Sequence, residues 1–309
     1  MKPLVSVICL CYNHERFVEE ALNSVFLQTY SELEIIVVDD FSSDQSREII
    51  RNTIAPHPQV ILLENKTNIG NCKSFNTAFQ LSKGKYIIDF ATDDVMYPHR
   101  IEQQVEAFEK LDKHYGVLFT NALNITEEGK QTTFHYKDLS NVPSGNVYKK
   151  ILQKYFISPP TMMIRKSVLD ELGGYDESLA YEDFDFWVRS ARKYNYFYLN
   201  EALTKRRVSS HSHSSKFDKK GFDPMAETTY RVIQKALWLN KNRKENKALA
   251  KRIRYELRHA FYMEKFYLVK KYYDLLKEMN EKDHKSSVIA FLSKMKLPVF
   301  SLYKIYKSL

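Results

Sequence analysis

Cysteine is scarce in this 309-residue chain: only Cys9, Cys11 and Cys72 occur, an odd number with no partners at metal-binding spacing. Neither a disulfide framework nor a zinc site is supported, and a reducing compartment is expected. Long apolar runs are missing too. None approaches the ~18 residues that span a bilayer. The segment after Met1-Lys2-Pro3 lacks a small-residue cleavage site, so no signal peptide is expected. A cytoplasmic or peripheral protein is the expectation. Internal repeats are absent, as is low complexity beyond the Ser/His cluster at 209–215.

What is present suits one globular domain of about 200 to 250 residues with an appendage: 44% of residues are hydrophobic and 28% charged. The net charge of +9 is unevenly divided. Residues 1–100 carry 9 basic and 13 acidic groups, residues 101–200 carry 12 and 14, and residues 201–309 carry 26 and 11. The last third therefore points to an anionic partner, a membrane surface or nucleic acid, or else to a solvated helical face.

Leu4 to Leu10 reads as a buried strand, followed by helical spacing of Phe17, Ala21, Leu22, Val25 and Phe26. The unit repeats: strand 34–38 and helix 46–52, strand 60–63 and a helix around Phe75, Ala78, Phe79 and Leu81, then strand 85–90. Such alternation predicts an α/β domain with a largely parallel sheet, whose ligands sit beyond the carboxyl ends of the strands. Helix 100–112, a short strand at 116–121, a loop or hairpin over 124–146, a strand at 159–164 and a helix after Glu182 are expected next. Lys/Arg-rich amphipathic helices run from Pro224 onward.

Asp39-Asp40 and Asp93-Asp94 both follow strands, so both should line one sheet edge. Adjacent carboxylates at a loop tip can bridge a hard divalent cation to a diphosphate. The same pairs also serve as turns or helix caps, and Glu182-Asp183 equally suits a helix start.

In order along the chain come Val5-Ser6-Val7-Ile8 with Tyr12-Asn13, Glu34 to Asp40 with Ser42 and Asp44, Asn68-Ile69-Gly70, and Gly84-Lys85-Tyr86-Ile87 with Thr92-Asp93-Asp94. Gly173-Gly174-Tyr175-Asp176-Glu177 with Glu182-Asp183, Trp187 and Arg189 follows. This series, over roughly residues 3 to 215, resembles the signature of family 2 glycosyltransferases. The resemblance implies a GT-A fold, a Rossmann-like α/β domain with a mostly parallel central sheet and flanking helices, plus a C-terminal helical extension. Residues 1–220 would be catalytic, with a nucleotide-sugar half over 1–100 and an acceptor half over 101–220, and 221–309 a basic helical region. The implied activity is inverting transfer of a hexosyl or N-acetylhexosaminyl group from a nucleotide diphosphate sugar, a UDP-sugar by expectation. The acceptor would be a saccharide or lipid-linked saccharide in bacterial-type polysaccharide or glycan synthesis.

Carried over by position, the resemblance implies that Tyr12 stacks on the base, Asp40 hydrogen-bonds base or ribose, and Asp39 shapes that loop. Asn68 and Gly70 would line the donor pocket. Asp93 would face the ribose or sugar, and Asp94 would ligate the Mn2+ or Mg2+ that neutralises the leaving diphosphate. Asp183 is the expected general base, with Glu182 as the other candidate. One departure stands out. Family members often carry a histidine two residues after the arginine that matches Arg207, and here that position is Ser209. Either His211 or His213 substitutes as a metal ligand, or the metal relies on Asp94, diphosphate and water, the histidines being simply exposed.

Two other readings compete. A metal-dependent nucleotidyltransferase would show a glycine-rich phosphate loop near the first strand, which Cys9-Leu10-Cys11-Tyr12-Asn13 is not. A basic nucleic-acid-binding protein would need a motif the chain lacks, and the acidic first two-thirds would repel phosphates, so no nucleic acid is expected as partner. Residues 231–309 thread aromatics among cations, as in Phe266-Tyr267, Tyr272-Tyr273 and the run Val299 to Tyr306. Contact with an anionic membrane, on the inner face of the plasma membrane, is expected. The alternative is that these aromatics pack on the catalytic domain or a second subunit.

Overall fold

Seven consecutive apolar or small residues make β1 (Val5–Cys11), and all seven are buried, as a strand covered on both faces requires. The computed structural model describes residues 2–208, 220–221, 223–301 and 303. From β1 the chain passes through α1 (Val18–Phe26), β2 (Leu33–Asp39), α2 (Ser46–Ile54), β3 (Ile61–Glu64) and α3 (Asn71–Leu81) to β4 (Tyr86–Ala91). β1 lies between β2 and β4, with Val5 opposite Leu33 on one side and Tyr86 on the other, and β3 extends the sheet beyond β2. All these pairings are parallel. Crossover helices therefore bury their apolar stripes on the sheet: Val18, Ala21, Leu22 and Val25 of α1 join Val5, Val7, Cys9 and Ile88 in one core.

The second half turns the sheet mixed. β5 (Val95–Met96), α4 (Arg100–Glu109), β6 (Tyr115–Ile125), β7 (Gln131–Phe134), α5 (Tyr148–Gln153), β8 (Met163–Arg165), α6 (Lys166–Leu172), α7 (Asp183–Ser190) and β9 (Asn195–Arg207) follow. The sheet order is β3-β2-β1-β4-β8-β6-β9-β5, with β7 paired to β6. β8 runs antiparallel to β4 and β6, whereas β9 is parallel to β6. This is the expected α/β architecture, parallel where the strand and helix alternation predicts it. One segment differs in detail. Pro159–Thr161 forms a 3₁₀ turn, not a strand, because two prolines cannot donate to a ladder. The hairpin option holds for the polar stretch, with Leu123 opposite Phe134.

The chain divides into two compact units, Met1–Val147 with Phe156–Ser209, and Tyr148–Tyr155 with Ser210–Leu309. The second gathers α5 with α8 (Pro224–Leu239), α9 (Arg243–Tyr262), α10 (Phe266–Glu278) and α11 (His284–Lys294). Local chemistry sets its helix starts. Asp223 accepts from the Met225 N–H with Pro224 in the first turn, and Asn242 accepts from the Glu245 N–H while Glu245 reaches back to the Lys241 N–H at 2.7 Å. Inside, Lys265 and Asp223 form a buried ion pair at 2.7 Å, and the Arg252 guanidinium lies 3.9 Å from the Tyr155 ring centre. No helix among the described residues is long and apolar enough to cross a membrane.

Candidate active site

Because β1, β2 and β4 are parallel, their carboxyl ends open on one edge, and the loops there are zipped together by side chains. Asn13 has φ 57°, a left-handed conformation that asparagine tolerates. There its Oδ1 accepts from the Ser43 N–H at 2.8 Å, and its own N–H donates to Ser42 Oγ at 3.0 Å. Asp39 is buried; its Oδ2 accepts from the Ser42 N–H at 3.1 Å and from Arg47, while Oδ1 has no partner. Asp40 holds the next wall. Its carboxylate accepts from Asn65 Nδ2 (2.8 Å) and from the N–H groups of Ile69 and Gly70 (both 2.9 Å), and its carbonyl accepts from Asn68. A carboxylate has about four lone-pair sites, so one remains open. Gly70 sits at φ 87°, ψ 160°, a region essentially confined to glycine.

Above this floor two aromatics stand exposed, Tyr12 (44%) and Phe41 (47%). Phe41 is held at φ 63°, an outlier for a bulky residue, with the Arg47 guanidinium 5.7 Å from its ring.

Asp93 and Asp94 end β4 in a turn that leads into β5, and β5 pairs antiparallel with β9, Val95 opposite Lys205. This pairing brings the Arg207 N–H to Asp94 Oδ1 at 2.7 Å. Arg207 is itself buried and acts as a latch. Its guanidinium donates to the carbonyls of Asp93 (2.8 Å), Thr126 and Glu127, pairs with Glu20 at 2.7 Å and lies over Phe17. Burial, reinforced by the neighbouring Asp93 charge, holds the Asp94 carboxyl well above the usual carboxylate range. A hard divalent cation fits such a place, because carboxylate oxygen is its preferred ligand and a bound cation would offset the cost of burying the charge. No group of three His, Cys, Asp or Glu side chains among the described residues could hold a metal by itself. A bound ion would thus complete its shell with ligand oxygens and water. His211 and His213 lie outside the described residues.

The motif from Gly173 to Arg189 is a clamp. Gly174 has φ 76°, and a Cβ there would meet Asn76 Oδ1 at 2.4 Å. Asn76 uses that oxygen to accept the Tyr175 N–H (2.9 Å) and its amide to reach the Tyr175 carbonyl (2.9 Å). Asp185, buried on α7, pairs with Arg189 at 2.6 Å, and Arg189 donates to the carbonyls of Leu172 and Gly174. The glycine pair, α3 and the start of α7 are thereby fixed to one another. At that start the two candidate bases differ. Glu182 Oε2 accepts from Asn71 Nδ2 at 2.8 Å, whereas among the described residues the Asp183 side chain makes no hydrogen bond. Burial, then the charges of Glu182 and Asp89, pushes the Asp183 carboxyl well up, with Arg206 acting in the opposite sense.

Three residues that the sequence reading passed over join this set. Asp89 interrupts the apolar run of β4 and accepts from the Tyr175 hydroxyl at 3.0 Å; its carboxyl is raised by burial and by Glu182. A lone carboxylate within Tyr86-Ile87-Ile88-Asp89-Phe90 is a signal that could have found it. Arg206, half-buried on β9, lowers both Asp94 and Asp183 electrostatically, so the two carboxylates share one cation's field. Phe41 is the third. The cysteines are not nucleophiles: all are buried, and burial pushes the Cys11 thiol up to about 11, leaving little thiolate at neutral pH, while the Cys72 thiol is a weak donor to Glu182 Oε2 at 3.9 Å.

With this geometry, comparison with known proteins is informative. The model of glycosyl transferase family 2 matches residues 6–173. An uncharacterized glycosyltransferase of Methanocaldococcus jannaschii is 30% identical over 217 residues, 67% of this chain and 71% of that one. S. aureus TarS 1–349, solved in complex with UDP-GlcNAc, superposes with a TM-score of 0.69 at 17% identity over 99% of this chain and 92% of that one. Mannosyltransferase PcManGT from Pyrobaculum calidifontis, solved in complex with GDP-Man and Mn2+, gives 0.62 at 18% identity over 100% and 83%. At these identities the two structures speak for the fold alone.

Proposed function

The chain belongs to glycosyl transferase family 2, and from that premise we propose that it transfers a sugar, with inversion, from a UDP-sugar to a hydroxyl of a saccharide or lipid-linked saccharide. The sugar would be a hexosyl or N-acetylhexosaminyl group and the pathway glycan or polysaccharide synthesis. The observations that support this most are the family match over residues 6–173 and the fixing of Asp94 at the end of β4 by the Arg207 N–H at 2.7 Å. The Asp183 side chain, at the start of α7, makes no hydrogen bond among the described residues.

In this reading Tyr12 and Phe41 offer aromatic faces to the base, and the open lone-pair site of Asp40 accepts from base or ribose. Asn68 and Gly70 complete the wall, with Asp39 holding the loop. Asp93 would face the ribose or sugar, and Asp94 would hold Mn2+ or Mg2+ with the diphosphate; the ion when bound neutralises charge on the leaving group. Asp183 accepts the proton of the acceptor hydroxyl as that oxygen bonds to the anomeric carbon and the bond to the diphosphate breaks. One displacement inverts the centre. Glu182, already engaged by Asn71, positions the turn. A carboxyl raised toward neutrality is a better proton acceptor than an ordinary one, provided it is ionised at the working pH. The donor class follows TarS, whose structure is in complex with UDP-GlcNAc; PcManGT, in complex with GDP-Man, defines the competing donor. The basic C-terminal region would hold the enzyme reversibly against an anionic membrane, where a lipid-linked acceptor resides.

A screen of nucleotide sugars with Mn2+ tests the activity. Release of UDP from one UDP-sugar is expected. Turnover of GDP-mannose in its place would reassign the donor, and pyrophosphate release would indicate nucleotidyl transfer.

A further inference from the structure

Helix α11 is packed inside out. The residues it buries are Ser286, Ala290 and Ser293, while Val288, Phe291 and Met295 are 41%, 64% and 59% exposed. At 100° per residue the three large apolar side chains fall within an arc of about 60°, opposite the small buried ones. A helix of a globular unit normally turns its apolar stripe inward, and a contiguous outward stripe marks a contact surface. Exposed Lys285 and Lys294 flank this stripe, one on each side, and exposed Lys296 follows the helix end. None of the three makes an ion pair with a carboxylate among the described residues. Beside the helix, α10 and α11 enclose a cleft of about 590 Å³ lined by Phe266, Tyr273 and Phe291 with Lys270 and Lys277. The cleft's one carboxylate, Asp274, is paired with Lys277 at 2.8 Å.

We propose that α11 is an interfacial helix, with Val288, Phe291 and Met295 entering the headgroup boundary of an anionic bilayer and Lys285, Lys294 and Lys296 meeting lipid phosphates on either side. This deepens the membrane reading of the C-terminal region by assigning it to one helix face. Charge complementarity selects the occupant: a stripe flanked by unpaired cations suits an apolar layer bounded by phosphates, whereas a second copy would bring the same lysines against each other.

The test uses the full-length protein and sedimentation with vesicles of phosphatidylglycerol and phosphatidylcholine, or of phosphatidylcholine alone, at low salt. Binding to the anionic vesicles only is expected. Replacing Lys285, Lys294 and Lys296 by Glu should weaken it about a hundredfold, at roughly 1 kcal/mol per cation. Phe291→Ser with Met295→Ser should weaken it about tenfold or more. Both variants should turn over nucleotide sugar in solution like wild type. Replacing exposed Lys244, Lys247 and Lys251 of α9 by Glu makes the same charge change away from the stripe and should cost severalfold less. Equal loss from the α9 and α11 variants would overturn the assignment to α11 while leaving membrane binding standing. Wild-type failure to bind either vesicle would overturn both. A dimer in light scattering that Phe291→Ser dissociates, without vesicle binding, would assign the stripe to a second copy.

Discussion

The two compact units keep their charges in opposite ways. In the sheet unit the conspicuous groups are carboxylates taken inside: Asp39, Asp94 and Asp185 are buried, and burial raises the carboxyls of Asp89, Asp94 and Asp183. In the helical unit the surplus is cationic and outside, as at Lys244, Lys247, Lys285 and Lys294. A charge that has lost its hydration acts strongly on whatever enters its pocket. An exposed cation is screened within about 8 Å at physiological salt and acts through numbers. On the proposed function, the first unit would work on one small ligand and the second would meet a surface.

The sharpest way to break that contrast is at Asp183. Asp183→Asn should lower kcat on the order of 10²- to 10⁴-fold in initial-rate assays of nucleoside diphosphate release, with an unchanged far-UV spectrum. Lys247→Gln, on the helical unit, should stay within about twofold. A comparable loss in both would erase the distinction.

The helical unit has exceptions, among them the buried pair of Lys265 and Asp223. Asp223→Ala takes the carboxylate at 2.7 Å away from the buried Lys265 ammonium and removes the α8 cap, and should destabilise by about 3–5 kcal/mol in urea unfolding of the full chain. Lys277→Ala, which breaks the exposed pair with Asp274, should leave the urea midpoint close to that of wild type.

In the sheet unit, Gly174→Ala should cost about 1–3 kcal/mol, since the new Cβ needs a positive φ and collides with Asn76 Oδ1. Because the clamp carries α7, kcat should fall with donor affinity retained, as steady-state kinetics and nucleotide titration will read.

The smallest effects concern pH. A base must be ionised, so activity falls as pH drops through the raised pKa of Asp183. The positive Arg206 lowers that pKa and the negative Asp89 raises it. Arg206→Gln should therefore shift the acidic limb of the kcat profile to higher pH, and Asp89→Asn should shift it lower. Shifts in the reverse directions would show that another group controls the limb.

Much of the first unit was legible in the sequence because parallel strands covered on both sides are near-continuous apolar runs, as in Val5 to Leu10 and Ile35 to Val38. The carboxylate pairs were legible as strand ends. β9 was not: Glu201, Lys205, Arg206 and Arg207 break any apolar pattern, and its place beside β6 and β5 comes from tertiary pairing that a local window cannot see. For the same reason the latch by Arg207 and the shared field of Arg206 were invisible. α5 joins the C-terminal helices across some 70 residues of intervening chain, a contact no periodicity announces. The separate states of Glu182 and Asp183 depend on Asn71, which lies 111 positions away from Glu182.

Whether donor binding and proton abstraction reside on different carboxylates of one site is read by calorimetry of UDP binding in the presence of Mn2+ to the wild type, Asp94→Asn and Asp183→Asn. The account predicts wild-type affinity for Asp183→Asn without turnover, and loss of both affinity and turnover for Asp94→Asn. Loss of nucleotide affinity in Asp183→Asn, or full turnover by it, would contradict the account.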